Sequence, residues 1–141
     1  MNTETSAGGL IVCKDGNTWK ILLMKDRKNA WTFPKGRPEG DEDPKTTALR
    51  EIQEEVGVTD LTIVIELQPV MYWYFREKSV KKTVQYFLCY TQKIQTPVVQ
   101  TEEGISEAKW VSLEEALSLI GYPETNLPLL KEAMRKIPLI Q

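Results

Sequence analysis

The sequence predicts an α/β fold in which helices cover both faces of a mixed β-sheet. Segments with strand-like and helix-like patterns alternate along the chain, without repeats, low-complexity tracts or a domain linker. The 141 residues suit one domain with a sizeable core, and we expect residues 1–141 to form one domain. Hydrophobic residues at 41% and charged residues at 27% are ordinary for a globular protein.

The strands are predicted from runs rich in β-branched, aromatic and other apolar residues. Residues 6–14 and 19–25 form the first two, and Asp15-Gly16-Asn17 between them is a good turn sequence. A polar loop at residues 95–104 is a natural place for functional variation. Further strand-like runs lie at residues 61–68, 70–76, 80–92 and 108–111.

Three helices are predicted from apolar periodicity and from their terminal residues. The first runs from about Pro44 to Val56, with Asp43 as its N-cap, Pro44 at its first position and Gly57 ending it. The second covers residues 113–120 and begins with a capping box formed by Ser112 and Glu115. The third is amphipathic and covers residues 127–136.

The last turn of the first helix carries three carboxylates, Glu51, Glu54 and Glu55, at spacings that place them on one face. Their mutual repulsion costs roughly 0.2–0.5 kcal/mol per pair. Anions at a helix C-terminus also oppose the helix dipole. A multivalent cation would reverse both penalties, and oxygen ligands suit Mg²⁺, Ca²⁺ or Mn²⁺. We interpret this turn as a metal-binding helix end.

A solvated acidic face is the alternative interpretation of this cluster. Arg50, four residues before Glu54, offsets part of the repulsion but cannot neutralise three carboxylates. The helix dipole accounts for the acids at the other end, which are Asp41, Glu42 and Asp43. It does not account for an acidic C-terminal turn.

The composition excludes several function classes. Without histidine the chain has no Ser-His or Cys-His nucleophile pair and no His-ligated zinc. Cys13 and Cys89 lie in strand-like runs and are expected to be free and buried, as in a reducing cytosol. No membrane span or signal peptide is apparent, so a cytoplasmic location is expected. A net charge of −2 gives no general attraction to nucleic acid or membranes.

The carboxylate turn belongs to a longer motif that resembles a known family. Gly36, five residues, Glu42, seven residues and then the run from Arg50 to Val58 match the box of the MutT-like Nudix hydrolases. The preceding residues 31–36, Trp-Thr-Phe-Pro-Lys-Gly, are similar to those of bacterial diadenosine polyphosphate (Ap4A) hydrolases. The resemblance implies an α/β/α sandwich around a central mixed β-sheet.

The resemblance also implies an activity. Such enzymes use Mg²⁺, with Mn²⁺ as a substitute, to hydrolyse a phosphoanhydride in a nucleoside diphosphate linked to another group. The closest match implies conversion of diadenosine tetraphosphate to ATP and AMP by in-line attack of water. One alternative is a MutT-type nucleoside triphosphate pyrophosphohydrolase. Another is a Nudix-like binding or sensor domain without turnover, against which the complete set of carboxylates counts.

By the same resemblance, the metal ligands would be Glu51, Glu54, Glu55 and the Gly36 carbonyl. A further glutamate often comes from a loop before a tryptophan-bearing strand. Trp110 fits that strand, so Glu103 is the candidate and Glu102 its alternative; both could also be solvated loop acids. The candidate catalytic residues are Arg50, Glu51, Glu54, Glu55 and Glu103, and the sequence leaves open which carboxylate is the base.

Substrate contacts are expected from lysines and tyrosines. Lys35 is a candidate phosphate ligand or a surface lysine. Lys82 and Tyr86 lie four apart on one strand, hence on one face. A phosphate-binding lysine and a base-stacking tyrosine at these positions would match the diadenosine polyphosphate hydrolases, and core or surface packing is the alternative interpretation of each tyrosine. Alternative stacking partners are Tyr72, Tyr74 and Tyr122. The expected partner is a nucleotide or dinucleoside polyphosphate, with no membrane or nucleic acid, bound to a monomer or homodimer.

Overall fold

The computed structural model describes residues 2–140, which form one mixed sheet flanked by helices. Three helices lie in this part of the chain: α1 (Pro44–Val56), α2 (Leu113–Leu119) and α3 (Pro123–Lys136). Short 3-10 turns occupy Thr101–Glu103 and Ile137–Leu139. The strands are β1 (Asn2–Asp15), β2 (Thr18–Lys25), β3 (Trp31–Thr32), β4 (Lys35–Gly36), β5 (Thr62–Glu66), β6 (Val70–Arg76), β7 (Lys78–Tyr90) and β8 (Glu107–Ser112).

A parallel pair of long strands forms the centre of the sheet. β1 and β7 run side by side from the pair Asn2–Val80 to the pair Val12–Tyr90. The other pairings between these strands are antiparallel: β2 and β4 pair with β1, β5 and β6 with β7, and β3 and β8 with β2. The combination of parallel and antiparallel pairings confirms the predicted mixed sheet.

Buried residues occupy consecutive positions in the central strands. Because successive side chains of a strand point to opposite faces, both faces of the sheet are apolar. On one face, Ile11 and Phe87 pack with Ile52 and Val56 of α1. On the opposite face, the packing involves Leu10, Val12, Leu88, Ala116 of α2 and Leu129, Leu130 and Ala133 of α3. Helices on both faces confirm the α/β/α sandwich.

The ends of α1 follow the predicted caps. Asp43 Oδ1 accepts the Thr46 N–H at 2.8 Å, and Pro44 stands at the start of the helix. Gly57 has φ +71°, and its N–H donates to the Gln53 carbonyl at 3.0 Å. The last turn of α1 therefore lies where the sequence predicted it. No helix within residues 2–140 is long and apolar enough to cross a membrane.

The larger differences from prediction concern β1, two short strands and the last helix, and the other predicted ends differ by at most two residues. β1 begins at Asn2 rather than residue 6, because its polar first residues pair with β7. β3 and β4 have two residues each, too few for a periodic pattern. The predicted start of the last helix at residue 127 is wrong, since α3 begins at Pro123 and continues through Pro128. Pro123 supplies the favourable first-position proline, and Pro128 follows only five residues later.

Candidate active site

Gly36 and Glu51 lie in contact where β4 faces α1. β4 pairs with β1 through Ala7–Gly36 and Gly8–Lys35, which fixes the backbone beside the helix. The Glu51 side chain points at Gly36, and only 9% of the residue is exposed. A Cβ atom at position 36 would overlap the Glu51 carboxylate. A side chain at position 36 would therefore displace the Glu51 carboxylate, whereas glycine allows the backbone to approach it closely.

Glu55 binds the same short strand one turn further along α1. Its Oε1 accepts the backbone N–H of Lys35 at 2.9 Å. The interaction joins residues 20 positions apart and anchors the strand to the helix end. Glu51 and Glu55 thus both face β4.

The pKa values of these two carboxyls are raised well above the ordinary value of 4.5. Burial is the main cause for Glu51, whose pKa rises to about 7 despite the neighbouring Arg50. Burial likewise raises the pKa of Glu55 to about 8, although the Lys35 N–H opposes the shift. Glu103 contributes negative charge near both groups. The carboxyls therefore lie in an environment that favours protons or another cation.

Arg50 joins three acidic residues through one guanidinium group. Its Nη1 donates to Glu51 Oε1 and to both Glu54 carboxylate oxygens, each at 3.2 Å. Its Nε and Nη2 donate to Glu42 at 2.7 and 2.9 Å, and Nη2 also donates to the Arg37 carbonyl at 2.8 Å. Arg50 therefore orients the carboxylates in addition to offsetting their repulsion.

Glu42 has a more specific role than the helix dipole alone suggests. Hydrogen bonds from Arg50 are the main reason that its pKa falls to about 2, with smaller contributions from Glu39 and Thr47. The acid lies eight residues before Arg50, outside α1, so helical spacing could not reveal the pair. The only sequence signal was the fixed position of Glu42 in the motif.

The loop before β8 brings Glu103 to the site. The Val98 N–H donates to the Val56 carbonyl at 2.9 Å, and the Gln100 N–H donates to the Glu55 carbonyl at 3.1 Å. These bonds hold the loop against the end of α1, so that Glu103 lines the cavity shared with Glu55. Glu102, its neighbour in the same 3-10 turn, is exposed like Glu103 but does not line that cavity.

The carboxylates fit an oxygen-ligated divalent cation by their chemistry. Among residues 2–140, no three His, Cys, Asp or Glu side chains already converge on one cation position. Two of them are instead held by Arg50 and by the Lys35 N–H. Burial is the main cause of their raised pKa values, neighbouring carboxylates add to it, and a hard cation would neutralise that charge. The residues present therefore suit a hard divalent cation.

A cavity of about 640 Å³ opens beside these carboxylates. Lys35, Glu55 and Glu103 line one part of it, and Tyr72 of β6 and Tyr122 line another. The two tyrosine residues are 37% and 42% exposed, so their rings remain available to a ligand. The cavity is therefore lined by both charged and aromatic side chains.

The backbone and side chain of Tyr122 are both constrained. It precedes α3 with φ +53°, a left-handed conformation that is uncommon for a non-glycine residue. Its hydroxyl donates to Asp26 Oδ2 at 2.6 Å, which is the main cause of a pKa raised to about 12. Asp26 also accepts backbone N–H groups from Lys28 and Ala30. The ring is thus held at the cavity wall by an ordered loop.

Three other predicted substrate residues occupy different environments. Lys82 is 8% exposed, and its Nζ lies 3.5 Å from Glu4 Oε1. Tyr74 donates its hydroxyl to Glu4 Oε2 at 2.5 Å. Tyr86 lines the cavity but is only 2% exposed, with its ring packed edge-on against Phe33. Sequence reasoning did not identify Glu4, because the contact depends on the β1–β7 pairing.

The pattern of the NUDIX domain family matches residues 3–133. The chain is 32% identical over 124 residues to the asymmetrical bis(5′-nucleosyl)-tetraphosphatase of Mus musculus, covering 85% of this chain and 82% of that protein. A solved structure of a C. elegans Ap4A hydrolase binary complex superposes with a TM-score of 0.81 at 26% identity. That match covers 96% of this chain and 98% of the other.

Longer relatives match over part of their length. A Mycobacterium tuberculosis protein described as mutator protein MutT4 is 29% identical over 86% of this chain. The chain spans about half of that protein, 51%, and 39% of Arabidopsis thaliana Nudix hydrolase 7. The family pattern, the fold and the carboxylate site agree: the chain belongs to the Nudix hydrolase family.

Proposed function

We propose that this enzyme hydrolyses dinucleoside polyphosphates, converting diadenosine tetraphosphate to ATP and AMP by in-line attack of water. The observation that carries the proposal is the cavity, which is lined both by two partly exposed tyrosines and by Lys35, Glu55 and Glu103. The aromatic side chains suit a nucleobase, and the charged ones suit phosphates. Similarity to the mouse enzyme over most of both chains supports the same substrate class.

Tyr72 and Tyr122 are the residues that we expect to hold a nucleobase. Both lie at the cavity wall and remain partly exposed, so a base can stack on either ring or between them. The hydrogen bond to Asp26 keeps the Tyr122 ring in place before substrate arrives. Because this hydrogen bond already restricts the side chain, less conformational entropy is lost when a base binds.

The phosphate chain would lie between the tyrosines and the α1 carboxylates. Lys35 lines this path and supplies positive charge beside Glu55. Lys82 lies two residues before Val84 on β7, so both side chains project from the same face of the sheet. Val84 lines the cavity. Its burial lowers its pKa, and Glu4 is its counter-ion. We expect Lys82 to contribute charge to the far end of the phosphate chain.

Nudix hydrolases generally use a divalent metal. We propose that Glu51, Glu54, Glu55 and Glu103 would hold it together with the Gly36 carbonyl, and that Mg²⁺ or Mn²⁺ would serve. The bound ion would neutralise charge on the phosphate oxygens. Arg50 orients Glu51 and Glu54 for this purpose. Glu51 and Glu55 are candidates for the base because both carboxyls lie beside the position proposed for the cation, where the attacking water would be held.

Hydrolysis of diadenosine tetraphosphate in ¹⁸O-labelled water tests the substrate and the bond that is cleaved. We expect ATP and AMP as the products, with label in only one of them, because a single phosphorus is attacked. Mass spectrometry of both nucleotides identifies that phosphorus. Two molecules of ADP as the main product would contradict the proposal.

A MutT-type pyrophosphohydrolase is the second candidate, and similarity to the M. tuberculosis protein favours it. A panel containing nucleoside triphosphates in the same assay separates the two. Nucleoside monophosphate and pyrophosphate formed faster than ATP and AMP would favour the second candidate.

A further inference from the structure

Lys82 lies in the middle of a row of three polar side chains that crosses three strands of the sheet. In the parallel pairing of β1 with β7, Glu4 stands opposite Lys82. In the antiparallel pairing of β6 with β7, Tyr72 stands opposite Lys82 on the other side. Residues that stand opposite each other in neighbouring strands project from the same face of a sheet. Because Tyr72 lines the cavity, the whole row lies on the cavity face.

The ammonium group of Lys82 is surrounded by charges of both signs. The side chain is only 10% exposed, and its Nζ lies 3.5 Å from Glu4 Oε1. Lys35 of β4 and Arg37, which follows that strand, are like charges that act on the same ammonium. Glu4 is the acid that faces it. Lys82 is thus a buried cation close to two other cations, and Glu4 supplies the opposite charge.

Tyr74 of β6 fixes the position of Glu4. Its hydroxyl donates to Glu4 Oε2 at 2.5 Å, while the other carboxylate oxygen faces Lys82. β6 and β1 pair with opposite sides of β7, so this hydrogen bond spans β7 next to Lys82. Each oxygen of Glu4 therefore has a defined partner, and the carboxylate is held in place before a ligand binds.

We propose that Glu4 is a positioning residue, which fixes the Lys82 ammonium beside the path of the phosphate chain and is itself held by Tyr74. The inference rests on the proposed function, in which Lys82 contributes charge to the far end of that chain. Glu4 contacts neither the reacting phosphorus nor the metal ligands in this arrangement. It acts through Lys82 and should therefore affect substrate binding rather than bond cleavage.

Glu4 and a phosphate group can bind Lys82 at the same time. An ammonium group has three N–H donors, so one can remain on the carboxylate while the others reach phosphate oxygens. Glu4 therefore does not have to leave for substrate to bind. Its contact restricts the rotation of the lysine side chain, which lowers the entropy that binding would otherwise cost.

The protonation of Lys82 also depends on Glu4. Burial lowers the pKa of Lys82, and the charges of Lys35 and Arg37 lower it further. Glu4 opposes these effects through its charge and its hydrogen bond. Without the Glu4 charge this pKa would fall again, so the ammonium would lose its proton at a lower pH. Since a neutral amine attracts phosphate only weakly, substrate affinity should then fall at a lower pH than in the wild type.

Steady-state kinetics with diadenosine tetraphosphate and Mg²⁺ tests this role. Glu4→Gln should raise KM about threefold or more, while kcat stays within about twofold of the wild type. The ratio of the KM values of variant and wild type should increase from about pH 7 to about pH 10, as Lys82 loses its proton in the variant first. In a Lys82→Ala background, Glu4→Gln should change neither KM nor its pH profile, because the group through which it acts is absent.

Glu66→Gln is the matched control. Glu66 of β5 accepts a hydrogen bond from Gln85 of β7 at 3.0 Å, so this change also neutralises a cross-strand glutamate. Gln85 is an odd number of residues from Lys82 on the same strand and projects from the opposite face. We expect Glu66→Gln to leave KM within about twofold of the wild type at every pH.

Tyr74→Phe separates orientation from charge. It removes the hydrogen bond to Glu4 but keeps the carboxylate charge beside Lys82. KM should rise less than in Glu4→Gln, and its pH profile should follow that of the wild type. Circular dichroism verifies that each variant is folded, and Tyr74→Phe tests the same contact if Glu4→Gln does not fold.

Binding of inorganic tripolyphosphate tests the inference independently of the substrate that the enzyme turns over. Calorimetric titration in EDTA prevents hydrolysis of this probe and leaves the basic side chains to bind it. Glu4→Gln and Lys82→Ala should each raise the dissociation constant about threefold or more. The double variant should bind no more weakly than Lys82→Ala alone.

Two results would overturn the positioning role of Glu4. One is a Glu4→Gln variant with the wild-type KM, pH profile and tripolyphosphate affinity. The other is an effect of Glu4→Gln that persists in full when Lys82 is absent, since Glu4 would then act through the fold. A wild type that converts nucleoside triphosphates instead of diadenosine tetraphosphate would overturn the proposed function. The tripolyphosphate titration would still decide the role of Glu4 in that case.

Discussion

Glu102 and Glu103 are adjacent residues whose surroundings differ because of how one turn is oriented. Glu103 lines the cavity and adds negative charge near Glu51 and Glu55. Glu102 is exposed outside that cavity. The sequence could not show which of the two faces the site, because a three-residue 3-10 turn in a polar loop is too short for a hydrophobic periodicity. Their difference follows from the loop hydrogen bonds to the end of α1.

The pair provides a matched test of the site. We expect Glu103→Gln to lower kcat by at least about tenfold, the smaller end of the losses seen when a metal site is disturbed. Glu102→Gln changes the same charge in the same turn and should leave kcat within about twofold. Steady-state kinetics of both variants with Mg²⁺ gives the comparison. Equal losses would show that the turn contributes only general negative charge.

Arg50 and Glu42 couple the folding of this region to pH. The pKa of Glu42 is lowered to about 2 in the folded protein, so its ion pair stabilises the fold above about pH 4.5. That contribution is lost as pH falls from 4.5 towards 2. Glu42→Gln should therefore be less stable than the wild type at pH 6, and the difference should shrink at pH 3. Urea unfolding at both values measures it.

Glu39→Gln is the control for this experiment. Glu39 also lies near Arg50, at 3.3 Å, but its side chain is 71% exposed. An exposed pair of this kind contributes little to stability. We expect Glu39→Gln to show almost no pH-dependent difference from the wild type. A loss as large as that of Glu42→Gln would mean that total charge, rather than the buried contact, determines the effect.

Helix α1 is the element that the sequence described best, since its caps, its bounds and its acidic last turn were all predicted. Each of these features is local: Asp43, Pro44 and Gly57 act within one turn of a helix end. The start of α3 was not predicted, because Pro123 and Pro128 are both acceptable first-position prolines. The choice between them depends on packing against the sheet. Local signals thus placed one helix and left the other ambiguous.

Gly57 links the end of α1 to the loop that carries Glu103. It has φ +71°, and a Cβ atom there would lie 3.0 Å from Val98 Cβ and 3.2 Å from the Val98 backbone. Gly57→Ala should lose about 2 kcal/mol of unfolding free energy, from the left-handed conformation and this contact. Gly40→Ala shares the backbone conformation, with φ +55°, but has open space around it. It should lose only about 1 kcal/mol. Chemical denaturation gives both values. Equal losses would show that the loop at Val98 moves aside without a further loss of unfolding free energy.

At the scale of the whole molecule, the buried carboxyls of the site lower the free energy of unfolding at neutral pH. Folding raises the pKa of Glu51 to about 7 and that of Glu55 to about 8. Their contribution to stability is fully present below about pH 4.5 and is lost as pH rises through 7 and 8. In EDTA, the wild type should therefore lose about 1 kcal/mol or more between pH 5.5 and 8.5, roughly 3–5 °C in Tm.

Mg²⁺ should reverse this loss, because the ion binds the deprotonated carboxylates of the folded state. The increase in Tm on adding Mg²⁺ should thus be larger at pH 8.5 than at pH 5.5. A Glu51→Gln/Glu55→Gln variant serves as the control and should show neither the fall in EDTA nor the recovery. Differential scanning calorimetry distinguishes these outcomes. An unchanged pH profile in that variant would contradict the assignment to Glu51 and Glu55.

The layered architecture could be predicted from sequence because element type and order constrain how apolar faces are covered. The cavity could not be predicted in the same way. Tyr72 and Tyr122 lie 50 residues apart in sequence and line one cavity only after β6 pairs with β7 and α3 docks on the sheet. Contacts of this kind arise from tertiary packing, which no local period encodes.

The central pairing of β1 with β7 has a consequence for how the chain folds. It joins residues 78 positions apart, such as Asn2 with Val80, and continues through eleven consecutive pairs. Long-range pairing of this kind requires a large loop to close, and the entropy of closure is lost before the new contacts can offset it. Such pairing therefore slows folding. Until β7 arrives, one side of β1 has unpaired backbone groups beside a run of apolar residues. We therefore expect folding to be limited by closure of this loop, with the β1–β2 hairpin forming first and remaining prone to aggregation in the meantime.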